Sequence, residues 1–197
     1  MKVSHPRNRG NICQLVVFLT LFCVISLVLP SCESREAILP EEGEMTLSLS
    51  SLAFQEGEKI PTKYTCEGQD VSPALTWGEP PVETQSFALI VDDPDAPVGV
   101  FTHWVLFNIP SDSRELPEAV PTQAELPSGA LQGKNDFGRI GYGGPCPPPG
   151  RPHRYRFTIY ALDQSLDLKA GVSKKQLLSA MQGHILVQGQ LTGTYQR

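Results

Sequence analysis

The run Phe87-Ala88-Leu89-Ile90-Val91 has almost nowhere to go but the middle of a sheet. Five apolar residues in a row offer no polar face to water, and their length is that of a strand. A second run, Phe101 to Ile109, is its equal: Trp104, Val105, Leu106, Phe107 and Ile109 cannot all be exposed, and Pro110 ends it. Shorter pieces surround these two. Leu47, Leu49 and Leu52 alternate with Thr46, Ser48 and Ser50, Ile60 to Tyr64 reads as extended, and Ser72 to Trp77 is stopped by Pro80-Pro81. Phe157, Ile159 and Ala161 oppose Thr158 and Tyr160, and Ile185, Val187 and Leu191 form a last strand in period two. One helix follows from Ser173 as N-cap with Gln176 three residues on, a Leu177/Leu178/Met181 stripe, and Gly183 past the end. Many short strands, one late helix and long loops predict an all-β antiparallel β-sandwich with one or two peripheral helices.

The first 31 residues stand apart. Lys2, Arg7 and Arg9 precede an uncharged, mostly apolar run from Ile12 to Leu29, the layout of an export signal. Leu29-Pro30-Ser31-Cys32 resembles a lipobox, which makes Cys32 the expected acylated residue; a plain secretory signal or an uncleaved anchor is the alternative. Residues 32–45 are Glu-rich and aperiodic and read as a tether, with the domain over 46–197. The expected location is the periplasm or cell envelope, with membrane attachment only through the lipid.

Removing Lys2, Arg7 and Arg9 takes the 16 Lys+Arg to 13 against 21 Asp+Glu, a formal charge of −8. With no basic run to neutralise phosphates, nucleic-acid binding is excluded. Cys13 and Cys23 fall inside the signal. Cys66 and Cys146 remain, an even pair that reads as one disulfide in an oxidising compartment, or otherwise as two buried thiols.

Three segments place polar groups at strand ends. Asp92-Asp93-Pro94-Asp95-Ala96-Pro97 crowds three carboxylates that repel unless something positive is near. Thr102-His103-Trp104 opens the second apolar run, and alternation puts His103 on the face of Val105 and Phe107, pointing inward. In Gly141-Tyr142-Gly143-Gly144-Pro145-Cys146-Pro147-Pro148-Pro149-Gly150 the glycines suit a backbone nest for a small anion. His153-Arg154-Tyr155 follows, with His153 and Tyr155 on one face. Each segment alone also reads as structure: a solvated proline turn, a packed histidine, a rigid loop. Asp93 is expected to orient a histidine rather than touch a ligand. His184, after Gly183, reads as structural.

Taken together, Asp93-Pro94-Asp95-Ala96-Pro97, His103 ten residues on, the Gly-Gly-Pro loop and His153-Arg154-Tyr155 resemble the signature of the phosphatidylethanolamine-binding protein family. Tyr64-Thr65-Cys66-Glu67-Gly68, Ser72-Pro73, Asn135-Asp136-Phe137-Gly138 and Gly183-His184-Ile185 are similar to its bacterial, Raf-kinase-inhibitor-like branch. The resemblance covers about residues 46–197. It implies a Greek-key sandwich and a pocket lined by Asp93, His103, the Gly144-Pro145 backbone, His153 and Tyr155. That pocket would accept phosphate, another small anion or a phosphoethanolamine head group. The resemblance also implies a homodimer, and a protein partner such as a kinase or protease. The long C-terminal helix of animal members has no counterpart after Leu191.

A non-catalytic binding protein without cofactor or metal is therefore expected. An inhibitor docking through the 111–150 loops is the first alternative. A hydrolase or metal-dependent enzyme is the second, through a Cys146–His153 nucleophile pair or through Asp93, Asp95, His103 and His153 as ligands. No Gly-x-Ser-x-Gly, His-Glu-x-x-His or phosphate-loop motif is present.

Overall fold

The structure is a computed structural model and describes residues 46–197. The export signal, Cys32 and the tether lie outside the described residues. Five strands form the larger sheet: β3 (Ser86–Asp93) and β4 (Phe101–Pro110) at its centre, β7 (His153–Leu162) beside β3, and β8 (Ile185–Tyr195) and β6 (Leu131–Gln132) on the flanks, in the order β6-β4-β3-β7-β8. A smaller sheet runs β1 (Leu49–Ser50), β2 (Leu75–Trp77), β5 (Glu115–Leu116). Every strand pair is antiparallel.

The continuous apolar runs have a direct cause: the larger sheet is covered on both faces. Phe87, Leu89, Val91, Trp104, Leu106, Phe157 and Ile159 meet Leu49, Leu75, Trp77 and Leu116 of the smaller sheet. Ala88, Ile90, Val105, Phe107 and Leu162 turn the other way and meet Leu166, Leu177 and Met181. The last two belong to helix α1 (Lys174–Met181), where the Ser173–Gln176 capping box forms as expected and Gly183 takes φ 84°.

Several local expectations fail. Leu52 is 99% exposed and ends no strand, because the chain turns after Ser50. Thr62–Tyr64 is a 3-10 turn, not an extended piece. Ile185 faces water while Val187 and Leu191 pack. Residues 111–150 hold β5 and β6, two strands of two residues each, too short to show a period.

The most consequential departure is in β4. Val91 pairs with Trp104, but Asp92 pairs with Thr102 and Asp93 with Phe101, so His103 is an extra residue in the ladder. Such a bulge re-aims a side chain. His103 accordingly does not join Val105 and Phe107 under α1; its ring meets the edge of Tyr155 with centroids 5.2 Å apart. Tyr155 shares its face of β7 with Phe157 and Ile159, the face that looks toward the smaller sheet.

Candidate functional site

The acidic corner after β3 is neutralised one carboxylate at a time. Asp92, on the helix side of the sheet, accepts from Lys174 Nζ at 2.6 Å. Asp95 takes both the Nε and Nη2 of Arg154, at 2.9 and 2.8 Å, and that guanidinium holds its carboxyl well below the usual carboxylate range. Asp93 turns inward and is 3% exposed. Its Oδ1 accepts from the Asp95 amide at 2.8 Å and its Oδ2 from Nδ1 of His153 at 2.7 Å. Alternation supplies this pairing, since Asp93 and His153 end adjacent strands on the inner face. Asp93 is thus bonded to a histidine ring nitrogen.

His103 is held differently. Its Nδ1 donates to the carbonyl of Gly143 at 2.6 Å, and the Gly143 amide donates back to the carbonyl of His103. Its ring is flanked by Phe101, Phe137 and Tyr155, centroids 5.2, 5.3 and 5.2 Å away. Burial pushes its pKa below the ordinary imidazole value, against the opposing pull of the Gly143 carbonyl and the charges of Asp93 and Asp92.

The two rings border one cavity of about 220 Å³, together with Asp93, Ala96, Pro97, Val98, Phe101, Phe137, Cys146, Pro147 and Pro148. Apart from Asp93, the rings and the oxidised Cys146, the walls are hydrocarbon. Within the described residues neither Nε2 has a hydrogen-bond partner.

Three expected lining residues stand behind these walls. At Gly143-Gly144-Pro145 the nest reading fails because the donors there are already used or missing. Gly143 N–H is committed as above, Gly144 N–H goes to Asp70 Oδ1 at 2.6 Å, and Pro145 has none. Gly144 is glycine for a steric reason: a Cβ there would lie 2.8 Å from Thr65 Cα and from Asp70 Oδ1. The loop's contribution is therefore an acceptor, the Gly143 carbonyl. Tyr155 is fully buried behind His103, its hydroxyl without a hydrogen-bond partner. Burial, and then the Asp93 charge, raise its pKa.

Cys66 and Cys146 are bonded, Cα–Cα 5.4 Å, across 80 residues. The bond fastens the Cys146-Pro147-Pro148 wall to the 62–70 segment, where Cys66 N–H also donates to the Pro145 carbonyl at 3.1 Å. It leaves no thiol to pair with His153. Among the described residues no three His, Cys, Asp or Glu side chains gather around one point, and Asp95 is taken by Arg154.

Sequence reasoning missed Phe101, Phe137 and Asp70. Phe137 was findable as an aromatic residue in an otherwise Gly-rich loop. Asp70, at φ 55°, was signalled only by its place in a turn after Gly68.

The family signature of phosphatidylethanolamine-binding proteins matches residues 50–196. A UPF0098 protein of Methanothermobacter thermautotrophicus is 53% identical over 151 residues, 77% of this chain and 99% of the relative. Another, from Aquifex aeolicus, is 51% identical over 79% of this chain and 91% of its own length. Among solved structures, YbcL of E. coli, described as a new member of the mammalian PEBP family, superposes with TM-score 0.73 at 34% identity, covering 78% of this chain and 99% of YbcL. A protein described as a phosphatidylethanolamine-binding protein homolog from Chlamydia trachomatis gives 0.70 at 43% identity, with 77% and 98% covered.

Proposed function

The chain belongs to the phosphatidylethanolamine-binding protein family, and from that premise we propose that it is a non-catalytic binding protein whose cavity takes one small oxyanion, a phosphoryl group or its like. One observation carries the reading: His103 and His153, from different strands, border the same cavity with each Nδ1 already engaged by a separate acceptor. That leaves one unpartnered ring nitrogen on each histidine to meet a ligand. At about 220 Å³ the space is below the roughly 300–1,000 Å³ of sites for whole drug-sized molecules, so a head group fits better than a large substrate. Hydrocarbon walls and an oxidised Cys146 favour holding over chemistry.

Calorimetry of phosphate on protein purified without it tests the reading. Binding that weakens at least tenfold in His103→Ala and in His153→Ala is expected. Failure of the wild type to bind at millimolar phosphate contradicts it.

We further propose export, with Cys32 acylated. The cationic start, the uncharged apolar run and the Cys66–Cys146 bond all suit an oxidising compartment. Cys32→Ala should release the protein from the membrane fraction. A homodimer is proposed on the family resemblance alone, and sedimentation velocity at micromolar concentration decides it.

A further inference from the structure

The two rings offer the cavity different things. A carbonyl oxygen can only accept, so the contact with Gly143 fixes the proton of His103 on Nδ1. Its Nε2 then holds a lone pair unless the ring gains a second proton. Little stands near to balance that proton. Facing His103 are Phe101 from its own strand, Phe137 and the Gly143 carbonyl from the loop, Tyr155 and His153 from β7, and Asp93 from β3, with Asp92 beyond. The nearer carboxylate, Asp93, already accepts from His153 and from the Asp95 amide. Asp136 accepts from the Thr102 amide at 2.7 Å, and Arg139, over Phe137 at 5.3 Å from the ring centroid, has its charge paired with Asp70 at 3.5 Å. His153 differs: its Nδ1 faces a carboxylate, Asp93 Oδ2, at 2.7 Å instead of a carbonyl.

We propose that the cavity selects an oxyanion that still carries a hydroxyl, a phosphoryl monoanion in preference to a sulfuryl group of the same charge and shape. The Nε2 of His103 accepts the ligand's O–H, and His153 donates to a charged oxygen. The inference rests on the anion-binding reading above and assigns that site its specificity. Burial's downward push on His103 acts in the same direction. A ligand without the hydroxyl would set an oxygen lone pair against a nitrogen lone pair in a cavity walled mostly by hydrocarbon, and leaving an acceptor unpaired once the ligand has displaced its water is costly. Sites built to bond a hydroxyl reject analogues that lack it far more strongly than sites that only measure size.

Methyl phosphate and methyl sulfate separate the possibilities. A phosphomonoester has its second pKa at about 6, so at pH 5.5 methyl phosphate is mostly a monoanion, matched in charge and shape by methyl sulfate but bearing one O–H. Calorimetry on the purified protein should give methyl phosphate at least tenfold tighter binding at pH 5.5. Its affinity should fall about tenfold per pH unit above about 6, as the hydroxyl is lost. In His103→Gln, whose amide can present either a donor or an acceptor, the ratio should narrow toward one. Equal affinities of the wild type for the two esters at pH 5.5 would overturn the proposed selectivity and leave anion binding standing. No binding of either ester would overturn both.

Discussion

The two sides of the cavity are built by opposite means. One side is the end of paired strands: Asp93 and His153 sit on β3 and β7, which run side by side through seven paired positions from Ser86 to Asp92, and three acids there each have a cationic or histidine partner. The other side is a bulged strand and a long loop. His103, Phe137, Gly143 and Cys146 are held by a carbonyl, by aromatic edges and by one disulfide, without a charge pair at the histidine. Charge suits the first side because the sheet has already fixed where the charges stand. On the second side the ladder skips His103 and the loop carries none, so covalent and steric constraints do the holding.

The largest effect should follow from breaking the charged side. Asp93→Ala strands a buried histidine and removes the acceptor for the Asp95 amide. A loss of about 3–5 kcal/mol is expected from urea denaturation, and a loss near zero would mean that the pair does not hold this corner. Next is the disulfide. Cys66→Ser with Cys146→Ser should cost about 2–4 kcal/mol. Hydrogen exchange should then speed up at residues 137–148 and leave β7 protected, whereas uniform acceleration would erase the contrast between the sides. Tyr142→Phe removes a buried 2.8 Å hydrogen bond to the Tyr64 carbonyl and should cost about 1 kcal/mol, again confined to the loop side. The smallest effect is set by pH. Because His103 titrates lower folded than unfolded, the unfolded chain takes its proton first. Stability should be full above about pH 6.5 and decline below it toward the depressed folded value. That slope should flatten in His103→Gln, and an unchanged slope would assign the pH dependence elsewhere.

The contrast also explains what the sequence could reveal. The charged side was legible because strands keep a period. Phe87–Val91 had to be central, and alternation put His153 and Tyr155 on one face; Asp93 came with the family resemblance. The capping box at Ser173 and Gln176 was legible because it depends on neighbouring residues only. The loop side was not legible in the same way. A single inserted residue at His103 rotates it away from Val105 and Phe107, and no local pattern announces the slip. β5 and β6 are two residues long and leave no period. The glycines at 143 and 144 suggested donors for an anion, but contacts with His103, Thr65 and Asp70, distant in sequence, decide where those N–H groups go.

The central claim is that two differently tethered imidazoles turn their remaining nitrogens toward a common ligand. Long-range nitrogen–proton NMR of the ring nitrogens reads it directly. With the protein free near pH 7, His103 should show a protonated Nδ1 and a bare Nε2, and added phosphate should shift the Nε2 signals of His103 and His153 together while His184 stays still. A His103 protonated on Nε2 with a bare Nδ1, or a phosphate response confined to one of the two rings, would contradict the account.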